Sequence, residues 1–422
     1  MTPPTMNAMI DQTRRSTHDA QPGSTPQPVA LDSAGQSVAL ESAILGTYRR
    51  APVEFVRGGG VYLFDTEGRA YLDFVGGIAV NALGYDDAGL KAALHAAADG
   101  LVHTSNLYST APGERLASAL VARSFADKVF FCNSGAEANE GAFKFARRWA
   151  RTKGEAKHEI VALRGAFHGR LFGTLAATDR PAYRLPFRPL TPGVSIFERD
   201  LAELDAALSE DTVAALIVEP VQGEGGVRVL DPGFLRELRA LTRARNIAMV
   251  LDEIQCGLGR TGTLFAYEQA GIEPDMITLA KPLAGGLPMG AILMTQEIAD
   301  AVKSGDHGTT FGGGPFVASV ALHVLERLSD PAMLAHVREM GAWMEHELNA
   351  IAERSSRIRQ VRGKGLMWGV DVMGTAAQVV NEALAHGLLL CSAGDYTIRM
   401  LPPLVSTREE LARGLEILEA VP

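Results

Sequence analysis

From Val129 onward the chain repeats one pattern: a short apolar run, a loop rich in glycine or charge, then often a stretch with helical spacing. The runs are VFFC (129–132), IVAL (160–163), VSIF (194–197), AALIVE (214–219), AMVLDE (248–253), MITLAK (276–281) and GAILMT (290–295). Helix-period segments such as GAFKFARRWAR and PGFLRELRALTRA lie between several of them. Continuous apolar runs suit strands buried on both faces, so the pattern predicts an α/β fold: a seven-stranded, mostly parallel sheet with helices on either side. Upstream, VEFVRGGGVYLFDTEGRAYLDF alternates apolar and turn residues like a small antiparallel meander. After Pro331 the text turns helical, gives short strands near LMWGVDVM and TIRMLPPL, and closes on a helix from Glu409, a second, smaller α+β domain. Residues 1–38 are rich in Pro, Ser, Thr and Gln, with too few large apolar groups to offset ordering entropy, and predict a disordered tail.

Composition narrows the function classes. A chain of 422 residues accommodates a large and a small domain, and its 47% hydrophobic and 21% charged content is that of a soluble globular protein. A net charge of -9 argues against nucleic-acid and membrane-surface partners. Cys132, Cys256 and Cys391 are scattered without metal-ligand spacing, which fits a reducing cytoplasm and predicts no metal site. No apolar run approaches the roughly 20 residues that span a bilayer, and the N-terminal Asp11, Arg14 and Arg15 interrupt any signal-peptide core.

In open α/β sheets ligands sit beyond the carboxyl ends of the strands, and the unusual residues fall there. Asn133-Ser134-Gly135-Ala136-Glu137 opens a helix: as packing it is a cap, with Ser134 and Glu137 three apart, and as chemistry it is an anion site. Both readings hold together. Gly165-Ala166-Phe167-His168-Gly169-Arg170 crowds an aromatic, an imidazole and a guanidinium onto one loop, although a lone histidine is more often structural. Pro220-Val221-Gln222-Gly223-Glu224-Gly225-Gly226 is glycine-rich and acidic. Asp252 ends one apolar run and Lys281 the next, where the plain reading is a solvated strand end. A buried carboxylate needs a partner. An acid and a lysine at neighbouring strand ends beside an anion cradle are the requirements of pyridoxal 5'-phosphate. Its aldehyde takes a lysine amine, its ring nitrogen needs a carboxylate, and its phosphate needs free N–H groups.

The motifs GGIAVNALG, HTSNLYST, FFCNSGAEANEGAFKFAR, GAFHGR, VEPVQGEGGV, LDEIQCGLGRTG, LAKPLAGGLPMGA, GTTFGGGP, VRGKGLMWGVDV and IRMLPPL resemble, in this order, the class III pyridoxal-phosphate aminotransferases of fold type I. The resemblance runs from about Ala39 to the C-terminus. It implies a small domain built from residues 39–84 and 331–422 around a large cofactor domain at 85–330. It implies that Lys281 carries the cofactor and shuttles the proton, and that Asp252 partners the ring nitrogen. Gln255 would reach the ring hydroxyl and Phe167 would stack on the ring, with His168, Glu253 and Ile254 alongside. Ser134, Gly135 and Ala136 would hold the phosphate, joined by Thr310 from the other subunit of a homodimer. Arg170 and Thr309 match substrate-contacting positions. Glu224 and Arg399 match a pair in which the glutamate masks the arginine until 2-oxoglutarate arrives. Gly314, Pro282, Cys256, Tyr85 and Ser109 depart from the family's usual Asn, Ala, Thr, His and Tyr.

Within the family the likeness implies N-acetylornithine as amino donor and 2-oxoglutarate as acceptor, both small molecules. Ornithine, acetyl-lysine-type relatives and carrier-protein-bound aminoadipate semialdehyde are the alternatives. An NAD-dependent oxidoreductase is the rival class, because Gly257-Leu258-Gly259-Arg260-Thr261-Gly262 matches G-x-G-x-x-G. Its context is wrong, since Glu253 to Cys256 separate the glycines from the strand and the next strand ends in Lys281 instead of an acid. A non-enzymatic binding protein on the same fold is expected to have lost Lys281 or Asp252, and both are present.

Overall fold

The computed structural model describes residues 43–421, so the tail expected at 1–38 lies outside the described residues. Contacts divide the chain into two units at Val53/Glu54. The described part of the first, residues 43–53, has bends but no helix or strand. Every element below belongs to the second.

All seven apolar runs are strands of one sheet: β1 (Lys128–Cys132), β2 (Glu159–Leu163), β3 (Val194–Phe197), β4 (Val213–Val218), β5 (Ala248–Asp252), β6 (Met276–Leu279) and β7 (Gly290–Met294). Their order is β1-β7-β6-β5-β4-β2-β3. Neighbours from β6 to β3 run parallel, and β7 is antiparallel to both β6 and β1. The connection at 280–289 explains the reversal, because a parallel crossover needs a dozen or more residues. Strands β4 to β7 are buried along their whole length. Successive side chains serve opposite layers: Met249, Leu251, Leu216, Val218 and Ile277 join one core, and Ala248, Val250, Ala215, Ile217 and Met276 the other.

Helix α1 (Gly135–Ala150) covers the second layer with Ala138, Ala142, Phe145, Ala146 and Trp149. Small residues bring it close: a Cβ on Gly141 would stand 2.6 Å from Ile292 Cδ1. Helix α2 (Pro232–Ala244) covers the first layer with Leu235 and Leu238. It begins where Asp231 accepts from Phe234 N at 3.1 Å and Pro232 takes a position whose N–H has no intrahelical acceptor.

The predicted meander is present as Phe55–Gly59, Tyr62–Asp65 and Ala70–Asp73, and Leu388–Leu389 adds to it in parallel. The C-terminal part has its own four-stranded sheet, including Met367–Val372, Cys391–Ser392 and Thr397–Met400. Helices Pro331–Arg354 and Arg408–Ala420 flank that sheet in sequence. No described helix is long and apolar enough to cross a membrane.

Candidate active site

Because β1, β2, β4, β5 and β6 point the same way, the loops at 133–136, 164–170, 219–226, 252–256 and 280–286 meet at one edge. Asp252 closes β5 and is 3% exposed. Its Oδ2 accepts from Asn139 Nδ2 at 2.7 Å and lies 2.8 Å from His168 Nδ1, and its Oδ1 accepts from Ile254 N at 3.1 Å. Asn139 also donates to the His168 carbonyl at 2.8 Å, while the Thr278 hydroxyl donates to Asn139 Oδ1 at 2.7 Å. The carboxylate is therefore fixed by α1, β6 and the loop after β2 at once. His168 does its work here through Nδ1; its Nε2 is buried with no hydrogen-bond partner among the described residues.

Ser134 caps α1, its hydroxyl accepting from Glu137 N at 3.2 Å. The Glu137 carboxylate returns to Asn133 N at 2.6 Å, one residue before the cap. The N–H groups of Gly135 and Ala136 open the helix and have no intrahelical acceptor, which suits an anion. Gly135 lies close against Ile254: a Cβ there would stand 2.8 Å from Ile254 Cδ1, which would have to shift. A Cβ on Gly169 would likewise stand 2.8 Å from Ala136 Cβ, so the His168 loop lies directly against the helix start.

Lys281 begins a 3-10 turn (Lys281–Ala284) with φ at +21°, an uncommon conformation for a side-chain-bearing residue. Burial holds its ammonium below the ordinary lysine range. The charges of Asp252, Glu224 and Glu219 oppose that shift, and that of Arg399 adds to it. Pro282, a departure from the family's alanine, is buried in the same turn.

Arg399, on strand Thr397–Met400, is 2% exposed. Its Nη1 lies 2.6 Å from Glu224 Oε1 and donates to Gln255 Oε1 at 3.1 Å, and its Nε faces Cys391 Sγ at 3.4 Å. Burial pulls the guanidinium down, but the Cys391 thiol and the Glu224 carboxylate outweigh it and hold Arg399 above its ordinary value.

The other expected residues are distributed differently. Phe167 stands edge-on to Tyr183, and the exposed Arg170 lies over the same ring, 3.8 Å from its centroid. Thr309 is joined to the site, its hydroxyl accepting from Asn133 Nδ2 at 3.0 Å, whereas Thr310 is exposed. The Glu253 carboxylate is committed elsewhere: it accepts from Ala266 N at 2.6 Å and Tyr267 N at 2.8 Å, and burial pushes it up to about 8. Tyr85 replaces the family's histidine and gives its hydroxyl to Asp73 Oδ2.

Sequence reasoning missed Asn139 and Glu219. Asn139 had a signal, being the polar member of the helix face that also carries Ala138, Ala142 and Ala146. Glu219 was taken as the last residue of an apolar run, and no spacing marks it.

The pattern defining the class-III aminotransferases matches residues 46–421. The chain belongs to that family. This class-III aminotransferase is 46% identical over 381 residues to a mitochondrial acetylornithine aminotransferase of Alnus glutinosa, covering 89% of this chain and 84% of that protein. Its fold is similar to the N-acetylornithine aminotransferase of Stenotrophomonas maltophilia (TM-score 0.78, 38% identity, 88% of this chain and 96% of that one). It is also similar to the ornithine aminotransferase of Toxoplasma gondii (TM-score 0.87, 31% identity, 90% and 91%). The family's cofactor is pyridoxal 5'-phosphate, and the residues present fit it. A buried amine with lowered proton affinity, a buried carboxylate with a fixed orientation and an open helix start without a Cβ supply its three requirements. When bound, the cofactor supplies an electron sink for the carbon that loses its proton.

Proposed function

We propose that this aminotransferase moves the terminal amino group of N2-acetyl-L-ornithine to 2-oxoglutarate, giving N-acetylglutamate 5-semialdehyde and L-glutamate, a step of arginine biosynthesis. The observation that carries it is the Glu224–Arg399 pair at 2.6 Å, whose two charges act on Lys281. The donor brings a neutral acyl-amino end to the place where 2-oxoglutarate brings a second carboxylate. A bare buried arginine would penalise the donor. Glu224 neutralises Arg399 for the donor and turns away so that Arg399 grips the acceptor's carboxylate. Arg170 and Thr309 hold the substrate from the opposite side. Lys281 carries the cofactor and moves the proton, and Asp252 keeps the ring nitrogen charged. The names of the relatives support the acetylated donor.

Arg399→Ala is expected to raise KM for 2-oxoglutarate about 100-fold, the scale of a lost buried ion pair, with a far smaller rise for the amine. Glu224→Ala is expected to shift reactivity toward glutamate-like α-amino donors relative to acetylornithine. Half-reaction kinetics read both. Equal factors on the two half-reactions in both variants would reduce the pair to a structural contact.

The enzyme works as a cytoplasmic homodimer, in which Thr310 reaches the partner's phosphate site. Leu101 (62%), Val102 (65%), Leu107 (85%), Tyr108 (72%) and Phe311 (65%) are more exposed than a monomer's large apolar residues need be. The pair His103–Phe311, with ring centroids 5.5 Å apart, and the Asn106 bond to the Thr309 carbonyl at 3.0 Å bring these two segments together. Dilution to monomers is expected to release cofactor. Sedimentation that finds an active, cofactor-saturated monomer would overturn this assembly.

A further inference from the structure

We infer that Glu219 is a positioning residue that ties the loop carrying Phe167 to the loop carrying Glu224, so that the change of partner at Arg399 is felt beside the cofactor ring. The inference rests on the reading of Glu224 and Arg399 as the acceptor switch.

Glu219 directly follows β4, whose neighbours in the sheet are β2 and β5, and is 5% exposed. Each carboxylate oxygen serves a different loop. Oε1 accepts from Phe167 N at 2.9 Å, beyond the end of β2, and Oε2 accepts from Gly223 N at 3.1 Å. Gly223 precedes Glu224 and is pressed onto Gln255, where a Cβ would stand 2.3 Å from Oε1. That same Oε1 accepts from Arg399 Nη1. The circuit therefore runs from Phe167 through Glu219 and Gly223 to Glu224, Arg399 and Gln255. The swing of Glu224 begins one residue from a bond that Glu219 holds, and the other end of that carboxylate fixes the backbone of Phe167.

Only an ionised carboxylate accepts at both oxygens without competition from its own proton. Burial pushes Glu219 up to about 7. His168 and the two N–H bonds pull it down, and Asp252 adds to the rise. Lys281 and Cys256 also lie within its field. Protonation turns one oxygen into a donor facing an N–H group and weakens one tie. The linkage thus tightens as pH rises through neutrality and loosens as it falls.

The test is amide hydrogen exchange on the holoenzyme, read at single-residue resolution, together with the two half-reactions. Glu219→Gln keeps the volume but turns an NH2 group toward one of the two N–H donors. It is expected to speed exchange about tenfold or more, the scale of a lost charge-assisted bond, at whichever of Phe167 and Gly223 the NH2 faces, and by a smaller factor at the other, which keeps a neutral acceptor. Helix α2 and the C-terminal sheet should stay unchanged, and kcat/KM for 2-oxoglutarate should fall further than for the amine. Unchanged protection at both amides, or loosening spread over the whole sheet with equal losses in both half-reactions, overturns the inference. The wild-type holoenzyme gives a second reading that needs no variant. Protection, corrected for intrinsic rates, should rise from pH 6 to 8.5 at one or both of these amides, and a flat profile at both overturns the inference. If the amides respond as expected but the enzyme ignores acetylornithine, the substrate assignment fails and the anchor stands.

Discussion

Lys281→Ala holoenzyme is expected to bind pyridoxal phosphate without covalent attachment and to lose at least about 1000-fold in kcat. Proton transfer by a positioned side chain alone contributes roughly 10²–10⁴, and in the proposed role Lys281 also supplies the nucleophilic amine. Its setting suits both proposed tasks. Burial keeps the amine below the ordinary lysine range, so a larger share is neutral and able to attack or take a proton. Asp252 and Glu224 temper that shift, so the amine can also hold a proton between transfers. The turn that presents it sits in an uncommon backbone region, at φ +21°. Borohydride reduction of the wild type followed by peptide mapping should place the cofactor's mass on Lys281. An adduct on another lysine would refute the assignment, as would an alanine variant retaining more than a few per cent of kcat.

Asp252→Asn is expected to leave the fold intact and to lower kcat about 100-fold or more. The carboxamide matches the carboxylate in size, and with its oxygen turned toward Asn139 and His168 it would sit in nearly the same place. It cannot hold a positive charge opposite it. An opposite charge in contact is worth roughly 10- to 1000-fold in a protonation equilibrium, so a ring nitrogen facing the amide loses its proton and with it most of the electron sink. Cofactor absorbance should shift while the circular dichroism of the backbone stays unchanged. Near-normal kcat in this variant would remove Asp252 from the chemistry.

Much of this could be read from the residues alone. Seven apolar runs became seven strands because an unbroken apolar stretch between loops has few alternatives to a buried strand. The cluster at the strand ends was legible because acids, lysine and glycine are costly or unusual at those positions. The direction of β7 was not, since GAILM carries no sign of its orientation; the short connection decides it. Glu253 looked like a neighbour of the site, yet its side chain turns away to two backbone amides, because successive residues at a strand end face opposite sides. Glu219 escaped notice because its two partners, Phe167 and Gly223, come together only once β2 and β4 lie side by side.

The most direct test of the account is the selectivity of the purified holoenzyme for its amino donor. N2-acetylornithine, ornithine, N-acetyllysine and glutamate are each offered with 2-oxoglutarate where a net reaction exists, or as single-turnover donors, and kcat/KM is compared. The proposed function predicts that acetylornithine leads, with ornithine at least about tenfold behind because its free α-ammonium must be desolvated where the acetylated donor brings a neutral acyl-amino group, a cost of about 1.4 kcal/mol or more. Preference for ornithine, or equal rates with both, would contradict it.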